Sequence, residues 1–144
     1  MPSLDALMAH RPPMRMLEAV VEASAEHAVG RMVVREDNPF LGKDGLLDRA
    51  AFPEIMAQCF AAGAGQARGA RVGYLAAMRH IVMHGDARLG DALDVTSRLV
   101  TSLSGVMVIA ASIARNGELL AEGELKVYIP EPLPGNNNDG DSPA

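Results

Sequence analysis

Tryptophan is absent from this chain, and cysteine occurs once, at Cys59. A lone thiol excludes an internal disulfide and suits a reducing compartment. Aromatic residues are scarce, at three Phe and two Tyr. A core so poor in rings must be filled by close backbone approach and flexible side chains, which the 14 Gly and nine Met can provide. The four His and single Cys form no set at metal-ligand spacing, so no metal is expected. Basic runs interleaved with aromatics are also missing, which argues against nucleic acid as a partner. No uncharged run reaches the ~18 residues of a membrane span. The opening MPSLDALMAHRPPM lacks the basic region and long apolar stretch of a signal peptide. A cytoplasmic protein without a membrane partner is the expectation.

What is present suits one domain. The length, 144 residues, allows one sizeable core. The formal charge of −5 owes three negatives to the tail residues Glu131, Asp139 and Asp141, which leaves 15 acidic against 13 basic residues in the body. Local basic groups such as Arg68 and Arg71 would suit an acidic carrier protein, and surface solubility explains them equally well.

Along the chain, SLDALMAH (3–10) reads as a short helix capped by Ser3 and stopped by the two prolines of RPP (11–13). MRMLEAVVEAS (14–24) and EHAVGRMVVRE (26–36) read as strands with a turn at 24–26. DNPFLGKDGLLD (37–48) is turn-rich loop. Pro53 is tolerated only in a first helical turn, so the central helix should begin between Asp48 and Phe52 and run to about Arg68. Its small residues would let a sheet wrap closely around it. Four strand-like segments follow, 71–83, 91–104, 105–116 and 117–130, the last two joined by the strong hairpin signal Asn116-Gly117. Residues 130–144 have almost nothing to bury and read as a disordered tail; residues 1–129 are the domain. Pattern gives an α+β architecture. An antiparallel sheet wrapped around one central apolar helix is the hot-dog fold.

Glu54 stands out as the one carboxylate in the apolar run AAFPEIMAQCFAAGAG (50–65). Its structural role would be to satisfy first-turn N–H groups or pair with Arg11 or Arg79. Three motifs point to a functional one. HRPPMRMLEAV (10–20) resembles the opening of FabZ-type 3-hydroxyacyl-[acyl-carrier-protein] dehydratases. NPF followed by EIMAQCFAAGAG resembles their Glu-x-x-Ala-Gln helix, with Glu54, Ala57 and Gln58 on the matching positions. MRHIVMHGDARLGDAL resembles their later strand and turn, with Leu89-Gly90-Asp91 where Pro-Gly-Asp is usual. GYLAAMRH and GELLAEGELKVYIPE are similar to a divergent branch, the ApeP-like dehydratases of aryl polyene and related lipid pathways.

The resemblance implies a hydro-lyase acting on acyl thioesters of acyl-carrier-protein or CoA, as in fatty acid or polyene biosynthesis. It also implies a homodimer or a heterodimer with a sister dehydratase, and no cofactor. Glu54 would be one catalytic acid/base group. Gln58, Ala57 and Ala61 would line the substrate, with Gln58 also able to orient Glu54 or a water. The family's loop histidine is missing: the loop reads LGKDGLLDRAAF, and its Lys43 is a poor base at neutral pH. Among His10, His27, His80 and His84, the substitute expected is His80, on the same strand face as His84. His27 reads as solvated, and Cys59 as a core thiol. A backbone N–H at the helix N-terminus would suit the developing thioester oxyanion. Two other functions remain open. One is a hot-dog acyl-thioesterase using the helix carboxylate; the other is a non-catalytic subunit completing a heterodimeric dehydratase.

Overall fold

A computed structural model describes residues 15–24, 26–68 and 74–128, with the side chains of 64–68 and of Tyr74 left aside. The short helix expected at 3–10, the helix end at Gly69 and the tail from 130 lie outside the described residues. Six strands and one helix follow in the order β1 (Ala19–Ala23), β2 (His27–Val33), α1 (Ala51–Arg68), β3 (Tyr74–Met83), β4 (Ala92–Leu103), β5 (Val106–Arg115) and β6 (Glu118–Tyr128). They form one antiparallel sheet ordered β1-β2-β4-β5-β6-β3, with the helix against one face.

Strict alternation builds that sheet. Leu93, Val95 and Ser97 of β4 and Met107, Ile109, Ala111 and Ile113 of β5 are buried. Between them, Asp94, Thr96, Arg98, Ala110 and Ser112 point to the outer face, as period-2 geometry requires. Phe52, Ile55, Met56, Cys59 and Phe60 of the helix complete the core. Asn116 and Gly117 take φ of 51° and 81°, the paired positive values of the tight turn expected at that hairpin. Ser104 and Gly105 do the same between β4 and β5, at 53° and 81°.

The helix starts at Ala51, inside the expected window. Asp48 explains the start: its Oδ1 accepts the Ala50 N–H at 2.9 Å and its carbonyl accepts that of Ala51 at 2.9 Å. Small helix residues do admit the sheet. A Cβ on Gly63 would stand 2.7 Å from the Ser24 carbonyl oxygen and 3.2 Å from the Ala28 Cβ. Gly63→Val should therefore force helix and β1–β2 turn apart and lower stability by roughly 1–3 kcal/mol, measurable by denaturant unfolding.

The first strand is shorter than the sequence suggests, because the N–H groups of Met16 and Leu17 go to a side chain instead of a ladder. Pairing begins at Glu18, whose N–H donates to the Arg31 carbonyl at 2.9 Å.

At the other end of the sheet, Asp91 of the Leu-Gly-Asp turn ties three segments together. Its Oδ2 accepts the Arg88 N–H at 2.9 Å and the Arg115 guanidinium at 2.7 Å, and Arg115 also reaches Glu118 at 2.9 Å. Burial alone would raise the Asp91 carboxyl; the Arg88 N–H and Arg115 outweigh it and hold it below its ordinary range. Its folded pKa thus lies below the unfolded value of ~3.9. The stability it contributes is complete above that value and is lost as pH falls through the folded pKa. Asp91→Asn should cost roughly 1–3 kcal/mol at neutral pH, with the gap to wild type closing as the pH drops below ~3.9. Urea unfolding across a pH series reads this out.

Candidate active site

Over its described side chains, helix α1 is buried on every side but one. From Ala51 to Gly63, Glu54, Ala57 and Ala61 alone keep partial exposure. At i, i+3 and i+7 they fall within about 60° around the helix axis, so they form one narrow open stripe. A carboxylate stands at its head and two methyl groups continue it.

Glu54 is held from one turn below. Gln58 is wholly buried. Its Oε1 accepts the N–H of Met16 at 2.8 Å and of Leu17 at 3.3 Å. Two backbone donors on one amide atom identify that atom as oxygen, so the other is the Nε2 donor. Nε2 donates to Glu54 Oε2 at 3.3 Å. The chain entering β1 therefore fixes Gln58, and Gln58 fixes Glu54. Met16 and Leu17 were invisible as site residues in the sequence, because they contribute backbone N–H groups that have no side-chain signature.

The helix N-terminus offers no donor to a bound carbonyl. Ala51 and Phe52 give their N–H groups to the carbonyls of Asp48 and Arg49 at 2.9 and 3.0 Å, and Pro53 has none. The oxyanion donor expected there is thus committed to the chain's own turn.

His80 is not brought to Glu54. Arg79 pairs with Glu124 and Val82 with Glu122, two outward residues, so an extra residue sits between them and breaks the alternation. His80 occupies this bulge with φ of 54° and lies on the outer face beside Thr96, Arg98 and Glu122, away from the helix. Gly123 of β6 makes the bulge fit: a Cβ there would lie 2.4 Å from Ile81 Cδ1 and 2.9 Å from Ile81 Cα. His84 follows β3, with Nε2 2.9 Å from Glu122 Oε2. His27 is exposed, with Nδ1 3.4 Å from Glu22. Arg79 also faces outward and does not pair with Glu54. His10 and Arg11 lie outside the described residues.

Lys43 occupies the exposed tip of the 37–48 loop, which folds back on itself through a Leu41–Leu47 bridge and buries Leu47. Burial pushes the Cys59 thiol up to about 11, against hydrogen bonds from Ser97 and the Gly30 N–H, so it is no nucleophile at neutral pH. Among the described residues no group of three or more His, Cys, Asp or Glu is placed to hold a metal ion. No helix among them is long and apolar enough to cross a membrane.

Solved structures define the class first. The chain superimposes on the dehydratase heterocomplex ApeI:P from Xenorhabdus doucetiae with a TM-score of 0.85 at 24% identity, over 98% of this chain and 99% of that one. AziG of S. sahachiroi gives 0.65 at 18% identity over 81% and 92%. A hypothetical thioesterase from Streptococcus pneumoniae TIGR4, solved with coenzyme A, gives 0.62 at 15% over 76% and 83%. The fold is the hot-dog fold shared by dehydratases and thioesterases. Within that class, the family model of the ApeP dehydratases (ApeP-like) matches residues 2–137, and the chain belongs to that family. No functionally curated protein matches it.

Proposed function

We propose that the chain supplies the carboxylate half of a two-chain 3-hydroxyacyl thioester dehydratase, with Glu54 as its acid/base group. The observation that carries this reading is the partly exposed stripe on α1: a positioned carboxylate followed by the small side chains of Ala57 and Ala61. Elimination of water needs a base for the α-proton and an acid for the departing β-hydroxyl. Among the described residues one chain presents Glu54 without a second acid/base group beside it, with His80 on the opposite face and no histidine in the 37–48 loop. The second group and the oxyanion donor therefore come from a sister chain, in keeping with the heterocomplex from Xenorhabdus. Gln58, wholly buried, holds Glu54 and does not line the ligand.

The partner's position is supported by β3, a sheet edge ten residues long. Leu75 and Met78 pair with the buried Val127 and Leu125, so they share the helix face, yet they are 37% and 53% exposed. An exposed apolar edge beside the helix is a ready template for another chain's strand. The acyl group would arrive on an acyl carrier protein in the cytoplasm.

The test is mass spectrometry of 3-hydroxyacyl-carrier protein incubated with this chain, with a histidine-bearing sister dehydratase, and with both. Loss of one water only, or at least tenfold faster, with both chains together is the expected result. Full activity of this chain alone would overturn the two-chain reading. Free carrier thiol would mean thioesterase.

A further inference from the structure

The sheet's outer face has a feature the helix-side chemistry does not use. In one register row, neighbouring strands carry His27, Arg98, Ala110, Glu124 and Arg79. Ala110 and the adjoining Ser112 are short, so a trough of about 670 Å³ runs along β5. Arg98 stands on one flank and Glu124 on the other, about 10 Å apart across β5. Neither makes an ion pair among the described residues. Below them the trough is tidy: the Thr96 and Ser112 hydroxyls bond each other at 2.7 Å.

We propose that this face is a contact between two copies of the chain, packed sheet back to sheet back about a two-fold axis parallel to β5. Such a rotation exchanges the two flanks. Arg98 of each copy then faces Glu124 of the other, and the short residues of β5 meet along the axis. An axis across the strands would instead set Arg98 against Arg98. Charge thus selects one of the two simple arrangements and makes the face self-complementary, as an isologous interface must be. The area suffices. Six strands of 5 to 12 residues, at ~3.3 Å per residue and ~4.8 Å apart, present roughly 800–900 Å² per copy, the size of a standard interface. The contact is separate from the β3 edge, so it doubles whatever assembly that edge forms.

Sedimentation velocity of the full chain at low and high salt tests it. A species of doubled mass is expected at low salt and should dissociate at high salt. Arg98→Glu and Glu124→Arg should each weaken that step at least tenfold, because like charges then oppose at both positions. An equimolar mixture of the two variants should restore it, since each reversed flank now meets its opposite. No salt-sensitive doubling, single variants that associate like wild type, or a mixture no better than either alone would overturn the proposal. Circular dichroism melts of both variants confirm that they remain folded, the second including any strain from setting a new arginine beside its register partner Arg79 of β3, and both positions lie on the face away from Glu54.

Discussion

Glu54→Gln should leave the protein folded and reduce dehydration of a 3-hydroxyacyl thioester by roughly 10²–10⁴-fold, the usual contribution of a positioned acid/base group. The amide is isosteric with the carboxylate, and its oxygen can still accept from Gln58 Nε2, so the hydrogen-bond geometry of the helix survives. What is lost is the proton-transfer capacity. Because Glu54 is the sole carboxylate in the helix sequence, no other carboxylate of the helix can replace it. The rate should be followed as loss of one water from the carrier-bound substrate, with the sister chain present so that the second group is not limiting. An unchanged rate would remove Glu54 from the chemistry and leave it a structural residue of the first turn. A fall in thioester binding without a fall in turnover would make it a binding group.

Much of this was legible in the sequence, and the reasons are local. Pro53 bounded the start of the helix because a missing N–H is tolerated only in a first turn; the Asp48 cap inside that window came from the structure. Asn116-Gly117 fixed a hairpin because positive φ is cheap there. The strand-like segments 91–104 and 105–116 contain β4 and β5. The Glu-x-x-Ala-Gln spacing placed Glu54, Ala57 and Gln58 within one turn of one another by helix geometry alone. The failures come from contacts between distant segments. His80 read as a regular strand residue; the bulge that sends it to the outer face depends on the absence of a Cβ at Gly123, on a different strand. Helix N-terminal donors looked available until the loop carbonyls of Asp48 and Arg49 took them. The role of Met16 and Leu17 was hidden because their N–H groups, not their side chains, meet Gln58.

Gln58 therefore carries the second large prediction, and two substitutions separate what it does for the fold from what it does for Glu54. Gln58→Leu preserves bulk but leaves the buried N–H groups of Met16 and Leu17 without their acceptor. Each unsatisfied donor costs ~1–3 kcal/mol. The sum, roughly 2–6 kcal/mol, is a large share of the ~5–15 kcal/mol that holds a domain together. A pronounced loss in urea unfolding is the expected result, and wild-type stability would mean that the amide is not the anchor of the entering strand. Gln58→Glu keeps an acceptor for both N–H groups but replaces the Nε2 donor with a second carboxylate oxygen facing Glu54. Two carboxyls at that distance share a proton. The variant should keep more stability than the leucine variant, yet lose activity and shift its pH–rate profile to higher pH. A residue that merely filled space would move neither the profile nor the ranking of the two variants, so the order of their stabilities against the order of their activities decides whether Gln58 positions the carboxylate.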